Sequence, residues 1–427
     1  MAGFLFAMKS FVFWHIAMVR IQFVLAFIFV CGFSFAQKSV NKSSAGLKAD
    51  FHIYHFSDAE SEIYFNVASR DLIYTTINGQ NPSAAISIQY RVLTIENVKQ
   101  VADSGSLVLN DVNADNSDKL ITSSFKVKMN AGMDYQVRIT IGDKKRSATR
   151  DYYLTAEKKN TNGRQNYLLR DGGVVKCIPF VAAGKYVIES KRNAGHEAQV
   201  RVYKRNYSLA PPPFSEQRFQ QFNYASDSIY AVKFDANGLA ELKITSGTFI
   251  HVVTDSSSRN GFTAFHFAEY FPRVMTPDVL IEPLRFLCSS DEFKLLKTAE
   301  NKKLALDKYW LDRAGSKERA RELIRVFYNR MQDANRNYSS YTEGWRTDRG
   351  MVYLIFGEPG SVDVSSDVET WTYGDKYSSS SLRFSFVKVE NPFTGNDFSL
   401  QRLAVYKPEW YKAVDTWRMG RVYYFIQ

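Results

Sequence analysis

The sequence is short of the residues that carry most recognisable chemistry. It has three cysteines and six histidines in 427 residues, and neither type falls at a spacing that would hold a metal. CxxC, HExxH, phosphate-loop and nucleophile-elbow patterns are all missing. His52 and His55 stand three apart in an expected strand and so face opposite sides of it, while His196, His251 and His266 are scattered through the same half of the chain. Nothing here calls for a cofactor or a metal, and Ser/His or metal-dependent hydrolysis is not an expected activity. Long apolar runs are also lacking after residue 37, and no internal repeat or low-complexity tract occurs. That excludes a polytopic helical membrane protein and a solenoid.

What is present begins with a leader. Ile21 to Cys31 is almost uninterrupted apolar sequence, and Ser34-Phe35-Ala36 followed by Gln37 fits the small-x-small cleavage pattern. Residues 1–36 are therefore expected to be a secretory signal peptide. The leader is long, and Met18-Val19-Arg20 with the run behind it would suffice alone, which makes Met18 an alternative start. Ile28-Phe29-Val30 lacks the small residue that lipid modification of Cys31 would require beside it. The expected location is the periplasm or the outer-membrane periphery.

Only Cys177 and Cys288 then remain in the mature chain. Outside the cytoplasm they are a candidate disulfide, yet the apolar flanks Val174-Val175-Lys176-Cys177-Ile178 and Phe286-Leu287-Cys288 equally suit buried free thiols. The formal charge of +11 favours anionic partners such as peptidoglycan, other glycans or an acidic face of an envelope protein. It is compatible with peripheral membrane association. The Lys and Arg are dispersed rather than clustered, and an exported protein has no nucleic acid to meet.

Aromatic residues make up 15% of the chain, with 25 Tyr and 32 Phe, and such residues suit half-buried pleated surfaces. Short strands between polar turns are expected from Phe51 to Ile141, among them Glu62 to Ala68, Ile73 to Ile77 and Ala85 to Leu93. A second set runs from Val174–Phe180 to Phe249–Val253, with a hairpin turn at Asp235-Ala236-Asn237-Gly238. This spacing implies two tandem β-sandwich domains of immunoglobulin or fibronectin type, residues 37–156 and 157–278. Residues 279–427 change character. Ser289-Ser290-Asp291-Glu292 is a capping box opening a helix to about Asp312. Ser316 caps a second, in which Ala320, Leu323, Ile324, Phe327, Met331, Ala334 and Tyr338 recur at helical spacing. Strands are then expected at Met351–Phe356, Thr370–Tyr373, Arg383–Lys388 and Arg421–Ile426, with Tyr406-Lys407-Pro408-Glu409-Trp410-Tyr411 as an aromatic loop. The fold class is thus multidomain and β-rich, with a helical pair and a small α+β C-terminal part.

One stretch stands out. Glu343-Gly344-Trp345-Arg346-Thr347-Asp348-Arg349-Gly350 runs into Val352-Tyr353-Leu354-Ile355-Phe356-Gly357-Glu358-Pro359, with Glu369-Thr370-Trp371-Thr372-Tyr373 beyond it. These segments, with Lys308-Tyr309-Trp310-Leu311-Asp312-Arg313 and Phe327 to Asn335 upstream, resemble the GWxTD domain family of exported proteins of Bacteroidota and related bacteria. The resemblance covers about Val279 to Gln427. It implies membership and an envelope location but no particular activity.

The motif admits two readings. In the structural one, Asp348 and Thr347 accept backbone amides at a strand entrance and Trp345 covers the junction of helices and sheet, so that Gly344, Trp345, Arg346, Thr347, Asp348, Arg349, Gly350, Gly357, Pro359 and Trp371 shape a binding or scaffolding module. In the catalytic one, Glu343, Asp348 and Glu358 serve as acid and base on a glycan or peptidoglycan, which requires two carboxylates about 5 to 9.5 Å apart, with Arg346 or Arg349 holding an anionic group. A buried Trp345 with Asp348 bonded to backbone favours the first reading; a cleft uniting the three carboxylates favours the second.

Overall fold

The computed structural model describes residues 46–425 apart from 77–78, 97–99, 116, 206–207, 217–221, 256–258 and 366. The expected signal peptide, with Cys31, lies outside the described residues.

The first β unit comprises β1 (Asp50–Tyr54), β2 (Glu60–Ala68), β3 (Ser83–Thr94), β4 (Val101–Val112), β5 (Leu120–Lys128), β6 (Asp134–Asp143) and β7 (Thr149–Glu157). They form two antiparallel sheets, ordered β1-β2-β5 and β4-β3-β6-β7. Alternation places the core. Ser61, Ile63, Phe65 and Val67 of β2 point one way, and the apolar three share an interior with Ile86, Ile88, Val137 and Ile139 of the facing sheet. β4 is an edge strand with no buried position. Of the expected strand at Ile73–Ile77, Ile77 lies outside the described residues and the rest makes a single bridge, Thr75 with Ser83.

The second β unit holds β8 (Leu168–Asp171), β9 (Val174–Val175), β10 (Gly184–Glu189), β11 (Glu197–Tyr203), β12 (Ser228–Lys233), β13 (Leu239–Ile244), β14 (Phe249–Val253) and β15 (Phe262–Phe265). Its sheets are ordered β13-β10-β8-β9 and β12-β11-β14-β15, around Tyr167, Ile188, Val200, Phe234, Leu242 and Val252. The expected strand Val174–Phe180 keeps only its first two residues. β14 is buried at every position, because its second face is covered by the C-terminal part. The two β units meet through Tyr54, Leu168 and Val175. His52 Nε2 bonds the Tyr167 carbonyl at 2.8 Å, and His55 bonds Ser61 Oγ at 2.8 Å and Gln165 Oε1 at 3.0 Å. Burial lowers their pKa values to about 3 and about 4, so both rings stay neutral in the fold.

After these come α1 (Pro277–Ile281), α2 (Ser290–Thr298), α3 (Lys302–Ala314), α4 (Lys317–Tyr338) and α5 (Asp348–Phe356), then a sheet of β16 (Ser361–Val364), β17 (Val368–Tyr373), β18 (Leu382–Lys388) and β19 (Phe398–Leu400), and finally α6 (Lys407–Arg418). Ser289 and Glu292 form the expected reciprocal cap. The helix it opens stops at Thr298, however, and Asn301 caps a separate α3. Three further elements differ from expectation. Met351–Phe356 is helix, not strand; Tyr406–Tyr411 leads into α6, with Pro408 in the first turn, where its missing N–H is harmless; and Arg421–Phe425 forms no ladder. Cys177 and Cys288 are both free and buried. They belong to different surroundings, Cys288 to the C-terminal core and Cys177 to the neighbourhood of Arg164, and burial pushes both thiols up.

Candidate functional site

The motif lies inside the C-terminal core. Trp345 is 1% exposed, its backbone N–H donates to Asn335 Oδ1 at 3.3 Å, its indole meets Phe286 edge-on, and the Arg346 guanidinium lies 4.5 Å from its ring centroid. Gly344 is compulsory, since a Cβ there would stand 1.9 Å from the Ala334 carbonyl oxygen on α4. Thr347 ends this turn and begins α5. Its hydroxyl donates to the Gly344 carbonyl at 2.7 Å and accepts from Gly350 N–H at 3.1 Å, an N-cap of ordinary kind. α5 is apolar on nearly all sides and buried on nearly all sides, as a helix in the middle of a core must be.

Three charged groups brace this central helix. Asp348, with no side-chain exposure, pairs with Arg402 and accepts the Leu400 N–H at 2.7 Å, tying the first turn of α5 to β19. Burial raises its pKa against the opposing pull of Arg402. Arg349 pairs with Glu369 on β17 at 3.1 Å and donates to the Asn396 carbonyl at 2.9 Å. At the other end Arg330 of α4 donates to the carbonyls of Ile355 at 3.1 Å and Tyr423 at 3.0 Å. A cation at a helix C-terminus is favourably placed, and this bond to Tyr423 holds the final segment in place of a strand ladder. Gly357 has φ +84°, and a Cβ on it would come within 2.6 Å of Arg330 Nη2. Trp371 is buried and its indole N–H donates to Glu369, while Tyr373 Oη donates to the Gly357 carbonyl at 2.8 Å.

The three carboxylates of the catalytic reading are not brought together. Glu343 pairs with Arg346 and lines a 220 Å3 pocket with Arg346, Tyr341 and Tyr203; neither Asp348 nor Glu358 borders it. Asp348 is sealed behind Arg402, and Glu358 is exposed after α5, beside the half-buried Pro359. Among the described residues no group of three or more His, Cys, Asp or Glu is placed to hold a metal. Arg402 and Arg330 were missed by sequence reasoning: one is 54 positions from Asp348, and the other looks like an ordinary polar residue of an amphipathic helix.

Asp397, in the turn after β18, has a measurable consequence. It accepts from Asn391 Nδ2 at 3.0 Å, and burial pushes its pKa up to about 6 despite Arg349 nearby. Its folded pKa is above the unfolded value, so the fold holds a proton between about pH 4 and 6 that the unfolded chain has released. Stability from this group is therefore present below about pH 4 and lost as pH rises through about 6, by about 3 kcal/mol at roughly 1.36 kcal/mol per unit. Asp397→Asn is expected to remove that loss, so that urea titrations show the variant gaining on wild type from about pH 4 to pH 7. An unchanged difference between the two pH values would contradict this.

The second β unit and the C-terminal part share an aromatic cluster, in which Phe393 packs against Tyr203, Phe249 and Phe222 at centroid distances of 5.0 to 5.1 Å. Residues 248–419 match the family model described as GWxTD domain. The chain carries a GWxTD domain. The match opens upstream of Val279 and takes in β14 and β15, and Phe393 packs on the first of these strands. No curated protein matches the chain. Among solved structures, a Bacteroides uniformis β-glucuronidase matches at 10% identity over 34% of this chain and 16% of its own, with a TM-score of 0.17. A putative β-galactosidase from Bacteroides fragilis matches at 15% identity over 32% and 22%, TM-score 0.15, and CBD12 from CALX1.2 at 10% over 48% and 79%, TM-score 0.15. The chain thus spans 16% and 22% of the length of the two enzymes, and superpositions this poor carry no functional argument. No helix of the described residues is long and apolar enough to cross a membrane.

Proposed function

We propose that this GWxTD protein is an exported, non-catalytic binding or scaffolding component of the cell envelope. In this reading its two β units are immunoglobulin-like modules, and the GWxTD domain, which shares β14 and β15 with the second of them, joins them to the C-terminal core. The observation that carries the proposal is the commitment of the motif's own charges to internal partners: Asp348 to Arg402 and Leu400, Arg349 to Glu369, and Glu343 to Arg346. Asp348 is sealed behind Arg402 with no exposure to reach a substrate, the pocket beside Glu343 contains no second carboxylate, and Trp345 is too buried to stack on a sugar. The apolar leader and the excess of positive charge support an envelope location facing anionic partners.

Crosslinking in envelope fractions with affinity capture of the full chain tests this. Specific envelope proteins should be recovered, and the captured chain should begin at Gln37. Recovery of glycan fragments alone, or turnover of peptidoglycan by the purified protein, would overturn the reading.

A further inference from the structure

The other arginines that brace the C-terminal part are each answered by an internal acceptor: Arg330 by the carbonyls closing α5, Arg336 by Asp50, Arg349 by Glu369 and Arg402 by Asp348. Arg164 is not. It stands in the short turn Arg164–Asn166 that joins the two β units, it is partly buried, and its side chain has no ion pair or hydrogen bond among the described residues. Burial lowers its pKa to about 10, and its charge helps keep the neighbouring His52 neutral. Removing a guanidinium from bulk water without a counter-charge is unfavourable.

The space beside it is large enough for an occupant. Arg164 lines a 570 Å3 cavity whose walls come from all three parts of the chain, Ile53 and Leu154 from the first β unit, Gly261 from the second, and Asn391 and Phe393 from the C-terminal loop. That volume is within the range of small-molecule sites, about 300 to 1,000 Å3. Asn160 adds a polar residue and Phe393 an apolar one to the lining. Glu157 and Glu390 also border the cavity, and its lysine, Lys388, lies 3.5 Å from Glu390. Lys388 is answered by Glu390, and Arg164 and Glu157 leave the lining formally neutral, so Arg164 can take a single negative charge while the two carboxylates oppose a phosphate or polyanion.

We propose that this three-way junction binds a small monocarboxylate bearing hydroxyl or amide groups, with its carboxylate held in a two-pronged hydrogen bond by Arg164. A planar guanidinium matches a carboxylate in this way better than a lysine does. The ligand would be either a free hydroxy acid or the C-terminal end of a short peptide. Because it touches all three parts, it would also lock their arrangement. This site is separate from the protein-partner reading and stands or falls without it.

Calorimetric titration of the full chain with gluconate and with the dipeptide Ala-Ala, each beside its amide, tests the proposal and separates the two sources. At least one acid should bind while its amide does not, and Arg164→Gln should weaken that binding by at least about tenfold, the loss of one charge-assisted pair. Without ligand, Arg164→Gln should melt no lower than wild type, since it relieves an uncompensated charge. Binding of neither acid, equal binding by the variant, or a lower ligand-free melting temperature in the variant, which would reveal a structural partner for the guanidinium, would each overturn the assignment.

Discussion

Gly344→Ala is expected to destabilise the protein by more than about 4 kcal/mol, in the exceptional range for a single substitution. The reason is that its neighbour cannot give way. A Cβ at 344 would stand 1.9 Å from the Ala334 oxygen and 2.7 Å from the Asn335 Cα, both main-chain atoms of a packed helix. Gly350 repeats the constraint, with a Cβ falling 1.8 Å from the Gly344 oxygen, so the two glycines mark where α4, the motif turn and α5 cross with no side chain between them. Gly395 supplies the control, since nothing lies within 4 Å of a Cβ there, and its alanine variant should stay within about 0.5 kcal/mol of wild type. Urea unfolding of the three proteins decides the matter. A Gly344→Ala protein within about 1 kcal/mol of wild type would mean that the crossing has room for a methyl group.

The second large effect belongs to Asp348. Asp348→Ala should cost about 3–5 kcal/mol, because it leaves Arg402 without its counter-ion and the Leu400 amide without an acceptor; the Arg402 side chain is only 10% exposed and has little water to turn to. Losing one partner of a buried pair and losing both have different costs, since only the first leaves a charge stranded in the core. The double variant Asp348→Leu with Arg402→Met should recover much of the loss, as apolar replacement of a whole buried pair is often neutral. Losses that simply add in the double variant would show that the two side chains act independently.

Much of this architecture is legible wherever a pattern has a period. The alternation in β2 and the 3.6-residue stripe of α4 identify their buried faces directly, with Ala320, Leu323, Phe327, Met331 and Ala334 all inside. The capping box at Ser289 is equally plain. α5 escapes because Met351-Val352-Tyr353-Leu354-Ile355-Phe356 is apolar without a period, and such a run is compatible with either a buried strand or a buried helix. The arbitrating signal is present: Thr347 with Asp348 after it is an N-cap and an acidic first turn, and Gly357 a terminus, but the same residues also suit turns around a strand. The site is legible only in part. That Asp348 accepts a main-chain amide is expected from its residue type; that the amide is Leu400, with Arg402 beside it, depends on a β19 contact more than fifty residues away. Arg164 carries no local signal at all, because an unanswered charge is visible only once every possible partner has been placed.

That the GWxTD motif is an internal brace rather than an accessible site is tested most directly by native-state hydrogen exchange at the amides of Gly350, Met351 and Leu400. Each is bonded within the brace, to Thr347 Oγ1, the Thr347 carbonyl and Asp348 respectively. All three are expected to exchange only when the whole C-terminal part opens, at one shared rate that tracks its global stability. Exchange as fast as in the exposed loops, with the fold intact, would contradict the internal brace and return the motif to the surface as a site.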